Sequence, residues 1–344
     1  MTETYAHLSN NAVYSATIVF TLAMIAHVAE WALARQLTAP LAGPLQRALV
    51  PARTAGSGVV DGAVTGTSAA DAAGSGDAHA AAARDGDDLE RSDRFGRIGF
   101  GLTVLGFLVL AVGVVFRGIA AQRVPWGNMY EFSITGCLAV CAAYIVMVRK
   151  YDTRWLGLLV TGFLVIVLGI AVIVLYRPLT PLVPALHSYW LMIHVSSAAV
   201  AGGAYTVGAL ASVLYLLRRR LERKAVEHPD LPRTGFLWRT PPAEAIDRVA
   251  YRVHAFAFPL WTFAVMCGAI WAQYAWGRFW GWDPKEVWAF ITWVAYAAYL
   301  HARATAGWQG RSAAYVALLG YATFLFNFVG INLFGSGLHS YAGM

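Results

Sequence analysis

Residues 155–175 read "WLGLLVTGFLVIVLGIAVIVL", an apolar run without a single charge. At about 1.5 Å of helix rise per residue, it can cross the roughly 30 Å hydrocarbon core of a bilayer. No water inside that core can satisfy backbone N–H and C=O groups, so a run this long without alternating polarity predicts a helix rather than a barrel strand. On either side of it, comparable runs recur at about 11–34, 96–116, 130–148, 189–217, 253–274, 286–302 and 313–334. The chain has 344 residues, 58% of them hydrophobic and 13% charged, and a mean hydropathy of +0.53. That balance excludes an ordinary water-soluble domain. The expected fold is all-α, a polytopic membrane helical bundle of about eight transmembrane helices.

Basic residues are retained on the cytoplasmic side of a membrane. Placing 35–95, 149–154, 218–252 and 303–312 there collects most of the lysine and arginine, and leaves Arg117, Arg123, Arg177, Arg278 and Lys285 on the opposite side. Both termini are then expected on the extracytoplasmic side of a multi-pass protein of the cytoplasmic membrane. The formal charge of +7 follows from this asymmetry and from anionic lipid at the inner surface, not from nucleic-acid binding. The first run is too long and too lightly flanked by positive charge for a cleaved signal peptide, so residues 1–34 are expected to be an N-terminal transmembrane helix. Residues 35–94, rich in Ala, Gly, Ser and Asp, offer almost nothing to bury and predict a disordered cytoplasmic linker. Residues 95–344 then form the main membrane domain of seven helices. Cys137, Cys141 and Cys267 all lie within spans with no CxxC pair, which does not support a disulfide scaffold.

On the expected outer side, residues 276–290 read "WGRFWGWDPKEVWAF". An interfacial aromatic belt accounts for Trp126, Trp190 and Trp261, but it fits poorly with Trp276, Trp280, Trp282 and Trp288 crowded together with Phe279 and Phe290. Gly277 and Gly281 interrupt the run, as they would where backbone must approach a flat ligand closely. A stacking surface is the expectation. Asp283, Pro284 and Glu286 stand as a capping residue, a first-turn proline and a third-position glutamate, a helix-start signature. Arg278 and Lys285 are the cations able to pair with the propionates of a porphyrin. His194, in "LHSYWLMIHVSS", and His339, in "GSGLHSY", are both expected at the outer membrane edge beside the aromatic stretch. Two neutral imidazoles are what axial ligation of haem iron requires. His301 is expected near the inner end of its span, about 22 Å of helix rise from Glu286, and so implies a second, inner site. His27 is a candidate mate for it, although Glu30 one turn later offers His27 a local partner. His187 and His254 are expected to be structural.

"WGRFWGWDPKEVWAFITWVAYAAYLHAR" resembles the tryptophan-rich, so-called WWD domain of haem-handling proteins. "WLMIHV" and "GINLFGSGLHSY" resemble the flanking segments of the CcsA/CcsB/ResC family of the system II cytochrome c biogenesis pathway. "PWGNMYEF", residues 125–132, resembles another external segment of that family, with a wall or partner role. The resemblance covers the chain from about residue 95 onward. It implies haem b as transported substrate and ligand, moved to the outer face and presented to apocytochrome c, whose CxxCH cysteines form thioethers with the haem vinyl groups. It also implies a ResB-type membrane partner, a thioredoxin-like thiol reductant, and participation in a holocytochrome c synthase complex. Carried over by position, His194 and His339 match the two external haem ligands and His301 the ligand of an inner haem, whose second ligand comes from the partner. Trp276, Trp280, Trp282, Arg278 and Asp283 complete the expected cofactor-binding set. A bis-histidine membrane electron carrier, in which haem stays in place, is the alternative.

Overall fold

The computed structural model describes residues 2–34, 69–179, 186–230, 232–305 and 308–339, with side chains from residue 86 onward in the second of these segments. Eight long helices follow in order: α1 (Thr2–Leu33), α2 (Ala69–Ala121), α3 (Met129–Tyr151), α4 (Gly157–Ile173), α5 (Tyr189–Glu227), α6 (Ala243–Trp276), α7 (Pro284–Ala304) and α8 (Arg311–Leu325). A single turn, Phe236–Arg239, lies between α5 and α6, and α8 continues through a π-helical turn, Phe326–Gly330, into Ile331–Phe334. Among the described residues seven helices are long and apolar enough to cross a membrane. The remaining one, α7, has 21 residues and so the length to span, but its tryptophans, tyrosines and terminal charges lower its hydropathy. The chain is a multi-pass, all-helical membrane protein.

The linker expected over 35–94 lies outside the described residues as far as 68, as do residues 180–185 of the loop after α4 and 340–344 of the tail. From Ala69 onward the backbone is helical and runs without a break into α2. Alanine, the strongest helix former, dominates the start of this stretch, and its later part has tertiary partners. Ser92 donates to the Glu30 carbonyl at 3.1 Å and Arg239 pairs with Asp93 at 2.9 Å.

Successive helices alternate in direction. Near the start of α1, Tyr5 stacks on Phe116, Ser9 donates to the Gly113 carbonyl at 2.7 Å, and Asn10 donates to the Tyr176 hydroxyl at 3.0 Å. The start of α1 therefore shares one end of the bundle with the end of α2 and the end of α4. The segment after α8 reaches the same end, where Leu338 meets the start of α7. Helices α1 and α2 form one long antiparallel pair and α5 and α6 a second; α3 lies between them, while α7 and α8 pack on each other and close against α5 and α6.

Helices surrounded by lipid gain little from hydrophobic burial and depend on close van der Waals contact, which small residues permit. A Cβ built on Gly203 of α5 would stand 2.7 Å from the Ala139 carbonyl carbon of α3, so those backbones touch. In the same layer the rings of Tyr205 and Tyr296 stack at 3.7 Å and 10°, and both are fully buried. His254, also fully buried, packs against this pair with its Nε2 3.4 Å from the Ser212 hydroxyl. The three cysteines are buried free thiols. Substituting Gly203→Ala is expected to push α5 from α3 and lower stability by about 1–3 kcal/mol, read as an earlier thermal transition in detergent.

Candidate haem-binding cavity

The loop between α6 and α7 is built around one carboxylate. Helix α6 stops at Gly277, whose left-handed backbone (φ 73°) lets its amide donate back to the Gln273 carbonyl, the usual geometry of a glycine helix end. Trp282 also has a left-handed φ of 60°, a conformation that a bulky residue holds only when its surroundings over-determine it. Glu286 supplies that determination. Its carboxylate accepts the Gly281 amide at 2.8 Å, the Asp283 amide at 3.0 Å and the Arg278 guanidinium at 3.1 Å. Together with Asp283 it forms the capping box that starts α7.

Asp283 does more than cap. Its Oδ1 accepts the Lys285 amide at 3.2 Å and His339 Nδ1 at 2.7 Å, while Oδ2 accepts the Leu338 amide at 2.7 Å. Burial alone would push this carboxyl up, but its hydrogen bonds and the neighbouring imidazole outweigh burial and hold it below the usual carboxylate range. Gly337 is required here because a Cβ would strike Asp283 Oδ2.

His194, on α5, is anchored from α6. Its Nδ1 lies 2.7 Å from the Ala264 carbonyl. A carbonyl oxygen can only accept, so Nδ1 carries the proton and Nε2 the lone pair. A Cβ on Gly268 would come within 2.8 Å of this ring, so glycine there makes the room it occupies. His339 donates Nδ1–H to a carboxylate in the same way, the arrangement that fixes tautomer and orientation in metal-ligating histidines.

Trp271 joins the two. Its indole lies 6.2 Å from His194, nearly parallel at 11°, and 5.6 Å from His339, and Trp276 meets His339 edge-on at 4.8 Å. His194, His339 and Trp271 line one cavity, walled also by Trp126, Trp261 and Trp280. Trp126 is delivered by a second carboxylate-centred loop. Asn128 caps α3, and the fully buried Glu131 accepts the Gly127 amide at 2.8 Å, Arg117 at 3.0 Å and Arg123 at 2.6 Å. An apolar, indole-walled space with two oriented imidazoles suits the donor chemistry of an iron porphyrin.

The residues singled out from the sequence divide accordingly. His194, His339 and Trp280 line the cavity. Trp276 supports His339, and Asp283 holds it. Trp282 is 66% exposed and packs edge-on against Trp280 and Phe290, and Arg278 braces the loop through Glu286. His301 is exposed near the far end of α7 and does not join this cavity. His27 is buried, lies 2.9 Å from Glu30 Oε2, and is held between glycines of α2 and α4. Trp271 carries no signal in the sequence because it sits within an ordinary apolar span. Trp126 and Trp261, assigned there to an interfacial belt, are corrected to cavity wall. Trp261 is only 5% exposed and its Nε1 donates to the Ala289 carbonyl.

This geometry defines a class, a multi-pass helical membrane protein with a prebuilt bis-histidine cavity. Residues 126–339 match the family described as cytochrome c assembly protein. The cytochrome c biogenesis protein CcsA of Guillardia theta is 34% identical over 256 residues, covering 71% of this chain and 85% of that protein. CcsA proteins of a Synechococcus strain (33%, 72% and 83%) and of Microcystis aeruginosa (34%, 71% and 87%) match similarly. The solved structure of the cytochrome c haem lyase CcmF shares the fold, with a TM-score of 0.56 at 15% identity, covering 96% of this chain. This chain spans half the length of that protein. The chain belongs to the cytochrome c assembly protein family and is a cytochrome c biogenesis protein.

Substituting Glu286→Ala leaves two loop amides without an acceptor, a loss of about 1–3 kcal/mol. Hydrogen exchange across residues 278–283 is expected to accelerate roughly tenfold or more, with α5 and α6 unchanged.

Proposed function

We propose that this protein receives haem b, holds it at the outer face of the cytoplasmic membrane between His194 and His339, and presents it to the CxxCH cysteines of apocytochrome c. The observation that carries this reading is the pair of imidazoles that line one cavity beside Trp271, each oriented through Nδ1, His194 by the Ala264 carbonyl and His339 by Asp283. The orientation of this end of the bundle follows from the distribution of basic residues. Haem supplies the reactive vinyl groups and the substrate supplies the thiols. The chain's own part is to position and shield, with indoles over the porphyrin and water kept from the iron.

A ResB-type membrane partner fits the position of His301. Its ring is exposed on the surface of α7, where a ligand from another chain could complete an inner haem site, whereas His27 is committed to Glu30 and His254 is enclosed by tyrosines. The resulting order is entry at His301, transfer to the outer cavity, and attachment there, with a thioredoxin-like protein keeping the substrate thiols reduced. A haem that merely cycled its redox state would need no route to an acceptor.

Replacing His194 or His339 with alanine is expected to deplete haem from the purified protein and abolish holocytochrome c formation in cells. Normal maturation in a well-expressed double variant would refute the assignment, and labelled haem that never passes to a CxxCH peptide would favour the electron carrier. Asp283→Asn keeps an oxygen to cap α7 but removes the charge behind His339. Haem affinity should fall about 10–100-fold, and the thermal transition should also move down, because the amide nitrogen that replaces Oδ2 cannot accept from Leu338.

A further inference from the structure

The cavity holds a charge that neither imidazole explains. Two charged residues, Lys285 and Glu286, line it. Glu286 is satisfied by Arg278 and two loop amides. Arg278, which the sequence suggests for a porphyrin propionate, is spent on Glu286 and does not line the cavity. Asp283, the neighbouring carboxylate, has both oxygens taken by the amides of Lys285 and Leu338 and by His339. The Lys285 ammonium, among the described residues, makes no hydrogen bond and no ion pair within 4 Å. Asp283 is the neighbouring counter-charge but its oxygens are already engaged, and an ammonium in an apolar, indole-walled lining is stabilised by a bound anion. A second polar group of the same lining points the same way. The Nε1–H of Trp126 is buried and has no acceptor. A cation and an unused N–H donor, in a cavity whose carboxylate is already neutralised, are the chemistry of a carboxylate site.

We propose that Lys285 takes a carboxylate of the bound ligand, so that the cavity selects iron porphyrins with free propionates over those whose propionates are masked. This rests on the haem reading above and adds to it a specificity determinant outside the iron's coordination. The ammonium acts as a point charge on a flexible stem, so arginine can replace it in part and glutamine cannot.

The test uses the full chain in detergent, titrated by absorbance with haem b and with its dimethyl ester, which keeps the iron and both vinyl groups. Wild type should bind haem at least about tenfold more tightly than the ester, the scale of one charge-assisted hydrogen bond. Lys285→Gln should bind the two equally, and with an unchanged iron spectrum that shows the histidines still in place. Lys285→Arg should recover a preference for haem. A glutamine variant that keeps the wild-type preference, or a wild type that does not distinguish the two porphyrins, would overturn the assignment. A wild type that binds neither would instead overturn the haem reading itself.

Discussion

The Asp283 carboxylate is the point on which the cavity end of this protein depends. One side chain caps a membrane helix, accepts an amide from the segment after α8, and fixes the ring of His339. These three partners come from parts of the chain up to 56 residues apart, so a single carboxylate sets the position of α7 against the last segment. A carboxylate with three N–H donors stays ionised and remains a strong acceptor, which makes it a firm support for an imidazole. Glu286, one turn on, ties down the loop that leads into the cap, and the two acidic residues work as a unit.

The other imidazole is set by a different mechanism. His194 belongs to α5 and takes its orientation from a backbone carbonyl of α6, where Gly268 leaves space for the ring. The spacing between the two histidines is therefore fixed by how the α5–α6 pair packs against α7 and α8. The Tyr205–Tyr296 stack joins α5 to α7 at the middle of the bundle, and the Trp261 N–H bond to Ala289 joins α6 to α7 near the cavity. In a bilayer, where apolar surface is no drive to association, such close packing and hydrogen bonding carry the geometry.

Much of this was legible in the sequence because the bilayer imposes so few solutions. Long uncharged runs had to be helices, and "WDPKE" had to start one. The boundaries were less legible. Helix α2 runs back to Ala69 through alanines that read as linker, since composition records what a segment can bury and not what conformation it prefers. His194 and His339 stood out because imidazoles are rare in such surroundings. Trp271, whose indole neighbours both rings, did not, because a tryptophan in an apolar helix has no local signature and acquires its part only from what α5 and the tail bring to it. Arg278 and Lys285 looked equivalent in sequence. Only the hydrogen bonds of Glu286 distinguish the cation that braces the loop from the one that lines the cavity.

The central claim is that the two imidazoles beside Trp271, those of His194 and His339, bind one iron. Low-temperature magnetic circular dichroism of the full chain purified with haem tests it most directly, because the near-infrared charge-transfer band of low-spin ferric haem reports the pair of axial ligands. The account predicts a six-coordinate, low-spin iron with two histidine ligands in the wild type, giving way to high-spin iron when either His194 or His339 is replaced. A wild-type spectrum that is high-spin, or a bis-histidine spectrum that survives loss of both side chains, would contradict it.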